Sequence, residues 1–220
     1  MDPFEKPWHG LESERTPALA LANTLDWRLR EKPIELLKDY SELVRWARSV
    51  GALEPAEARA LRAWGEEHPK AAGRVLAEAV ELREAIAVMA TSLLKGRAPQ
   101  AAPLARVEGA CRAAHANRVL RPTSAGARWV WREAIDPQRP LWAAALDAER
   151  LLTSDDAARV RQCGDAECGW FFLDTSRNRS RRWCSMEVCG NRNKARRFYK
   201  RAAKGRAAVP RGRETHGREK

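Results

Sequence analysis

The sequence predicts a protein of the α+β class that is mainly α-helical and carries a small β-hairpin, and three observations support this prediction. Apolar residues recur at helical spacing in much of the first three quarters of the 220-residue chain. Polar and apolar residues alternate on both sides of a turn that contains Gly126, which is typical of a β-hairpin. Four cysteines lie in two short-spaced pairs near the C-terminus, which indicates a small separate module.

Caps and breakers define the predicted helices. Residues 69–95 give the strongest signal, because apolar side chains recur there at alternating spacings of four and three and form one stripe. Asp39, followed by Glu42 three residues later, is typical of a helix N-terminus, and Gly51 ends that helix. In chain order, the predicted helices cover residues 17 to about 27, 39–51, 55–66, 69–95, 104–114, 141–152 and 188–203.

Two antiparallel strand pairs complete the predicted elements. Residues 118–122 and 128–132 flank the turn at Gly126 and form the β-hairpin. Residues 159–162 form a short strand that leads into the first cysteine, and residues 169–174 are its predicted partner.

The net charge of +12 is concentrated at the C-terminal end. Residues 163–220 contain 16 Lys and Arg against 6 Asp and Glu, a balance of +10, which leaves residues 1–162 with a balance of +2. The first part is expected to be an ordinary soluble domain, and the last a cationic module that attracts polyanions. Nucleic acid is the usual partner of such a module. We expect DNA, with RNA as the alternative.

The cysteines follow the pattern Cys-x4-Cys, fifteen residues, Cys-x4-Cys. This spacing allows the thiolates of Cys163, Cys168, Cys184 and Cys189 to meet around one tetrahedral, structural zinc ion. The N-terminus lacks the pattern of a signal peptide, and no apolar run reaches the length of a membrane span. We therefore expect a cytoplasmic protein with reduced thiols. A disulfide framework is the alternative for an exported chain.

The order of elements in the cysteine module is typical of a treble-clef zinc finger. It begins with a first knuckle that contains Cys163 and Cys168, followed by a hairpin strand and a loop. A second knuckle, which contains Cys184 and Cys189, then leads into a helix. Its loop and helix are rich in basic residues, which suit contacts with phosphates and base edges. The candidate nucleic-acid contacts are Arg177, Arg179, Arg181, Arg182, Asn191, Arg192, Lys194, Arg196, Arg197, Lys200 and Arg201. Phe198 and Tyr199 lie on the apolar face of the helix and are expected to pack on the hairpin.

These motifs resemble a known family. The resemblance to the CGNR zinc finger is carried by Cys163-x4-Cys168-Gly-Trp-Phe-Phe-Leu-Asp174, Arg181-Arg182-Trp183-Cys184 and Cys189-Gly190-Asn191-Arg192. The segment Leu19-Ala-Leu-Ala-Asn23-Thr24-Leu-Asp26-Trp27-Arg28 is similar to the opening motif of the ABATE domain, which usually precedes that finger. The resemblance implies a bacterial, stress-induced transcriptional regulator, with the finger as its DNA-binding part and the ABATE domain as its sensor.

The resemblance also implies a division into domains. An ABATE-like helical domain is expected at residues 15–158, and the CGNR finger at residues 159–203. Residues 1–14 and the basic residues 204–220 are expected to be disordered.

The opening motif offers a second candidate site. Asn23, Asp26, Trp27 and Arg28 follow an apolar helix and could line a pocket for a small-molecule effector, with Arg28 pairing an anion. The alternative interpretation is structural: the polar residues cap the helix end, and the tryptophan fills the core.

No arrangement of a nucleophile with a base is visible, and none of the four histidines lies within the finger. A treble-clef nuclease needs a histidine base beside an open metal position, so we expect no enzymatic activity. The favoured function is a zinc-dependent, DNA-binding transcriptional regulator. The alternatives are an RNA-binding protein and a protein–protein adaptor in which zinc only stabilises an interface. A homodimer is compatible with each of these functions, although no motif indicates one.

Overall fold

The computed structural model describes residues 16–133 and 135–207, with side chains up to Arg201. The chain divides into two compact units, Met1–Cys184 and Ser185–Lys220. The segment 1–14 and the tail beyond residue 207, both expected to be disordered, lie outside the described residues.

The described part of the first unit contains six α-helices, which follow the predicted order. They are α1 (Pro17–Ala22), α2 (Tyr40–Ser49), α3 (Pro55–Glu67), α4 (Pro69–Leu94), α5 (Ala101–Ala116) and α6 (Arg139–Leu152). Asp39 caps α2 by accepting a 2.9 Å hydrogen bond from the Glu42 N–H, as predicted. Within the described residues, no helix combines the length and the apolar character that a membrane span needs.

The core of the first unit forms around α1. Its residues 18–22 are completely buried, and the helix packs against α4 and α6. From α4, the predicted apolar stripe contributes buried residues such as Ala79, Leu82 and Ile86. A short helix that is apolar on every side can be stable only where neighbouring elements enclose it.

Helix α1 ends at Ala22, and the prediction that it continues to about Trp27 is wrong. The Thr24 hydroxyl donates a 2.7 Å hydrogen bond back to the carbonyl of Leu21. Such side-chain bonds to the local main chain compete with further helical hydrogen bonds. The main chain then reaches a φ of +53° at Trp27, which is incompatible with a continuing right-handed helix.

Three two-stranded antiparallel sheets lie in the described part of the first unit. They pair β1 (Leu25–Asp26) with β2 (Ile34–Glu35), β3 (Arg118–Thr123) with β4 (Gly126–Trp131), and β5 (Val160–Gln162) with β6 (Phe171–Leu173). The second and third pairs confirm the predicted hairpin and the predicted strand pair beside the first cysteines. Gly126 has a φ of +132°, a value that glycine adopts readily, and this closes the hairpin turn.

The two tryptophans of the hairpin share one face but have different environments. Trp131 stacks on Trp142 of α6, with ring centroids 5.1 Å apart. Trp129 lies nearer the turn and is 52% exposed. The base of the hairpin is therefore anchored on the helical core, while its tip is open to solvent.

The second unit begins with a π-helical turn, Met186–Gly190, which runs directly into α7 (Asn191–Ala207). Ser185 caps the turn, because its hydroxyl accepts a 3.2 Å hydrogen bond from the Val188 N–H. The predicted helix over residues 188–203 is thus confirmed for most of its length. Residues 204–207, which were expected to belong to the tail, continue α7.

The apolar face of α7 differs from its prediction. Phe198 and Tyr199 are 68% and 70% exposed and contact each other edge to face, with ring centroids 5.8 Å apart. The expectation that these two side chains are packed is therefore wrong.

Candidate metal centre and nucleic-acid interface

Four buried cysteines form the candidate metal centre. The Sγ atoms of Cys163, Cys168, Cys184 and Cys189 all lie within 4.8 Å of one another, and none of these residues forms a disulfide. The Sγ atoms of Cys168 and Cys184 are 3.7 Å apart. Thiolates held at about 2.3 Å from a tetrahedral zinc ion would lie about 3.8 Å from one another. The four cysteines are thus positioned to bind one metal ion.

The chemistry of this donor set fits zinc in a structural role. Thiolates are soft ligands that select zinc over hard cations such as magnesium and calcium. Four protein ligands fill the tetrahedral coordination sphere, so no position remains for water or a substrate. Four thiolates with one divalent zinc ion carry a net charge of about −2, which neighbouring cations can offset.

The first two ligands are positioned by β5 and β6. Cys163 directly follows β5, and its N–H donates a 2.8 Å hydrogen bond to the Trp170 carbonyl. The chain turns between the strands at Gly169, whose φ of +74° favours glycine. A Cβ atom at Gly169 would lie only 2.9 Å from Cγ of Leu29, so glycine also permits the N-terminal segment to approach the knuckle.

Asp174 organises the loop between β6 and the third ligand. Its carboxylate accepts hydrogen bonds from the Ser176 N–H at 3.0 Å, the Ser176 hydroxyl at 2.6 Å and the Arg181 N–H at 3.1 Å. Burial alone would raise the pKa of Asp174, but these hydrogen bonds outweigh it and hold the pKa below its ordinary value. The carboxylate therefore stays ionised at neutral pH and keeps the loop closed.

The Arg181 side chain also belongs to this loop. Its Nε donates a 3.0 Å hydrogen bond to the Trp183 carbonyl, and its guanidinium donates to the carbonyl of Cys184. The guanidinium carbon lies 4.5 Å from the ring centroid of Phe172. Arg181 was a candidate for nucleic-acid contact, and the structure places its side chain against the main chain that carries the third ligand.

In the second unit, the π-helical turn carries Cys189 directly before α7. The Arg192 guanidinium donates a 3.0 Å hydrogen bond to the Cys189 Sγ, and the Asn193 amide donates a 3.0 Å hydrogen bond to the Cys189 carbonyl. A guanidinium on a thiolate stabilises its negative charge. Arg192, another candidate for nucleic-acid contact, therefore supports the metal centre.

Asn23 joins the helical core to the strands that carry the cysteines. Its side chain is 1% exposed, its Nδ2 donates to the Phe171 carbonyl at 2.8 Å, and its Oδ1 accepts from the Phe171 N–H at 2.8 Å. The main-chain N–H of Arg28 donates a 3.1 Å hydrogen bond to the Cys168 carbonyl. The opening motif of the chain thus holds both β6 and the first knuckle.

The other polar residues of the opening motif form local contacts. Oδ1 of Asp26 accepts a 2.7 Å hydrogen bond from the Trp27 N–H. The Arg30 guanidinium carbon lies 3.4 Å from the centroid of the Trp27 ring, in a cation–π contact. Of the four residues predicted to line an effector pocket, Arg28 alone belongs to the lining of the cavity described next.

A cavity of about 560 Å³ lies beside the end of α4. Ala87, Val88 and Phe171 contribute apolar lining, and Lys95 and Arg97 are exposed basic lining residues. Neither cation forms an ion pair with a residue in the described part of the chain. The cavity therefore combines an apolar surface with positive charge that is not neutralised locally.

An ion-pair network borders this cavity. Nη1 of Arg28 lies 2.7 Å from Oε2 of Glu84. Arg83 is almost fully buried; its Nε lies 2.8 Å from Oε1 of Glu84, and its Nη1 lies 2.7 Å from Oε1 of Glu35. Burial would raise the pKa of Glu84, but the two arginines lower it below its ordinary value. Since Glu84 neutralises Arg28, the uncompensated positive charge of the lining comes from Lys95 and Arg97.

Most candidate nucleic-acid contacts are exposed cations. These are Arg177, Arg179 and Arg182 in the loop, and Lys194, Arg197, Lys200 and Arg201 in α7. None of the seven forms an ion pair with an acidic residue among those the structure describes. Asn191 is exposed at the start of α7, whereas Arg196 is partly buried.

A helical domain followed by a finger closed by four thiolates defines a zinc-finger protein, and comparison with known families specifies which one. The model of the family described as "Putative stress-induced transcription regulator", ABATE, matches residues 15–155, and that of the CGNR zinc finger matches residues 159–202. The chain belongs to the ABATE family and ends in a CGNR zinc finger, as the motifs predicted. The two family descriptions are those of a transcription regulator and a zinc finger, and neither names an enzymatic activity. No curated protein matches the chain.

Two contributions to the site were not predicted from the sequence. One is the contact of the Arg28 main chain and Leu29 with the first knuckle. The other is the bridge from Asn23 to Phe171. Its signal is visible in retrospect, because an amide side chain inside the apolar run that begins at Leu19 must find hydrogen-bond partners once it is buried.

Replacing one thiolate tests the metal centre. We expect Cys184→Ser to lower the affinity for zinc about 100-fold, since a structural site supplies about 10–16 kcal/mol shared by its four ligands. The measurement is zinc content during titration with a chelator. Cys111→Ser is the matched control: Cys111 is buried and its thiol lies 3.2 Å from the Ala145 carbonyl. Burial raises the pKa of Cys111 to about 11, so this thiol stays protonated. Equal zinc affinity of the two variants would contradict the assignment of Cys184 as a ligand.

Removing the Asn23 amide tests the bridge between core and finger. In Asn23→Ala the buried N–H and carbonyl of Phe171 lose their partners, which we expect to cost about 2–4 kcal/mol of unfolding free energy. Chelator-driven release of zinc should also accelerate, because β6 is less firmly held. Chemical denaturation measures the unfolding free energy, and a colorimetric zinc indicator measures the rate of zinc release.

The control for this variant is Asn117→Ala, which removes one partly buried hydrogen bond to Ala113 at the end of α5. We expect this control to cost about 1 kcal/mol or less and to leave zinc release unchanged. If Asn23→Ala released zinc no faster than Asn117→Ala, the bridge would not support the metal centre.

Proposed function

We propose that this protein is a zinc-dependent, DNA-binding transcriptional regulator. Zinc orders the finger, the exposed cations of the finger contact the phosphate backbone, and the N-terminal domain responds to a small ligand. We propose residues 15–158 and 159–203 as the corresponding functional domains, which the extents of the two family matches support. The observation that carries the proposal is the set of seven exposed cations that have no acidic partner among the described residues, in a module closed by four thiolates.

The charge pattern of α7 supports binding of a polyanion. Residues 191–207 contain no Asp or Glu. Arg197 and Arg201 are both exposed and four residues apart, a spacing at which like charges destabilise an isolated helix by about 0.2–0.5 kcal/mol. A phosphate backbone removes this repulsion, because each arginine can then pair with an anion.

The shape of α7 favours DNA over RNA. The major groove of B-form DNA admits an α-helix, whereas the major groove of A-form RNA is too deep and narrow for side chains to read. The family description as a transcription regulator agrees with a DNA target. A preference for RNA or for single strands in competition binding would instead favour the RNA-binding alternative.

A protein–protein adaptor is the competing function, since zinc would then only stabilise an interface. Exposed Phe198 and Tyr199 are compatible with such a contact. The adaptor function, however, gives no reason for the exposed cations that flank these rings in the sequence. Binding to nucleic acid explains both the cations and the exposed rings, because cations contact phosphates and aromatic rings among cations stack on bases.

Neutralising the α7 arginines tests the proposed interface. We expect Arg197→Ala with Arg201→Ala to reduce the slope of log K against log salt by about 1–2, since each lost phosphate contact contributes about 0.9 for B-form DNA. The measurement is fluorescence anisotropy with random duplex DNA across a salt series, with zinc-loaded protein. Duplex RNA and single-stranded DNA serve as competitors.

Arg59→Ala with Arg74→Ala is the matched control, because these exposed arginines of α3 and α4 carry the same charge away from the finger sequence. We expect this control to change the slope by less than about 0.5. Equal slopes for the two double variants would show that Arg197 and Arg201 make no specific phosphate contact. No binding of the zinc-loaded wild type to any nucleic acid would favour the adaptor.

The cavity beside α4 supports the second part of the proposal, a small-molecule effector. Its volume of about 560 Å³ lies within the range of about 300–1,000 Å³ that is typical of small-molecule sites. The apolar lining and the exposed cations Lys95 and Arg97 suit an organic acid with an apolar body. We therefore propose that the effector is a small carboxylate.

The probe for this site is 2-naphthoate, with its neutral isostere 2-naphthamide as the control ligand. Bound at ten times its dissociation constant, 2-naphthoate should stabilise the protein by about 1.4 kcal/mol and raise the unfolding midpoint by about 3–6 °C. Differential scanning fluorimetry measures the shift. It should disappear in Lys95→Ala with Arg97→Ala and persist in Arg59→Ala with Arg74→Ala. Equal shifts with the amide, or none with the acid at millimolar concentration, would refute a carboxylate site.

A further inference from the structure

The β3–β4 hairpin has an exposed tip that the proposed function does not use. Every residue from 120 to 129 is exposed. At the base of the hairpin, Trp131 stacks on Trp142, and the Arg139 guanidinium carbon lies 4.7 Å from the Trp131 ring centroid. The β3–β4 hairpin, a two-stranded ribbon, is thus attached to the helical core at its base and extends into solvent at its tip.

The register assigns different chemistry to the two faces of the ribbon. Arg121 lies directly opposite Arg128 on one face. Leu120 lies opposite Trp129 on the other face, and these side chains are 56% and 52% exposed. Since side chains alternate between faces along a strand, one face of the tip is cationic and the other is apolar.

The paired arginines are unfavourable in the isolated protein. Like charges directly opposite each other on adjacent strands destabilise a sheet. No acidic residue occurs between residues 118 and 131, and neither Arg121 nor Arg128 forms an ion pair with any residue in the described part of the chain. An anion shared by the two guanidiniums would convert this repulsion into attraction.

The same charges argue against a second copy of this chain as the occupant. Arg118, Arg121 and Arg128 give the hairpin three positive charges and no negative charge. Two such ribbons meeting face to face or edge to edge would repel. A polyanion with apolar or aromatic surfaces is complementary to both faces.

We propose that the tip of the β3–β4 hairpin is a second nucleic-acid contact surface. Arg121 and Arg128 bind a backbone phosphate, while Trp129 packs against a sugar or an unstacked base. A two-stranded ribbon fits the major groove of B-form DNA, and exposed aromatic side chains next to cations contact nucleic acids by stacking. This inference rests on the proposed function and adds contact area outside the finger.

The test measures salt-dependent binding of duplex DNA by full-length, zinc-loaded Arg121→Ala with Arg128→Ala. If both arginines contact phosphates, the slope of log K against log salt falls by about 1–2, as each contact contributes about 0.9. Arg59→Ala with Arg74→Ala again provides the matched loss of two exposed positive charges. The midpoint of thermal unfolding should stay constant or rise in the hairpin variant, because the substitution removes a repulsion; weaker binding cannot then be attributed to unfolding.

Three results separate this inference from the proposed function. A reduced slope in the hairpin variant, with the control close to wild type, supports the second surface. A reduced slope in Arg197→Ala with Arg201→Ala, but not in the hairpin variant, overturns the inference and leaves the proposed function intact. Absence of binding by the wild type overturns both.

Trp129→Ala tests the apolar face of the same tip. Loss of a stacked ring should weaken binding of duplex or single-stranded DNA by about 1–3 kcal/mol, equivalent to about 5- to 150-fold, without changing the salt slope. Leu104→Ala, which removes an exposed apolar side chain from α5, is the control. Equal affinities for the two variants would show that the tryptophan does not touch the nucleic acid.

Discussion

The paired hydrogen bonds between the Asn23 side chain and the Phe171 main chain are the interaction on which the arrangement of the first unit depends. They connect the completely buried helix α1 to the strand that follows the second cysteine. A three-residue strand pair has little independent stability. Its attachment to the helical core therefore helps to hold the first knuckle in place.

Electrostatics divides the basic residues of the finger into two groups with different tasks. Four thiolates and one zinc ion form a dianionic centre, and Arg192 donates directly to one of its sulfur atoms. Arg181 is committed to carbonyl oxygens next to the third ligand. Cations such as Arg197 and Lys200 are exposed and have no acidic partner among the described residues. The residues available to an external polyanion are therefore those that the metal centre does not require.

Sequence reasoning succeeded where a local rule determines structure. Cap and breaker residues located the helices, such as Asp39 for α2, and the spacing of the cysteines predicted their cluster. Sequence reasoning failed where contacts with residues distant in the chain determine where an element ends or whether a face is buried. The end of α1 depends on Asn23, whose partner Phe171 lies 148 residues away, in addition to the local side-chain bond from Thr24 to Leu21. The exposure of Phe198 could not be predicted either, because helical periodicity identifies an apolar face but not whether another element covers it.

The cavity proposed for the effector is lined in part by the strands that carry the first two cysteines. Its lining includes Phe171, which Asn23 holds, and Gln162, which precedes Cys163 and donates a 3.1 Å hydrogen bond to the Gly169 carbonyl. A carboxylate bound there would contact the strands that present the first two thiolates. Coupling between two binding sites is reciprocal. A ligand that binds better when the strands are ordered therefore raises the affinity for zinc, and zinc raises the affinity for the ligand by the same factor. An effector of this kind would act on the finger by altering how firmly its first knuckle is held.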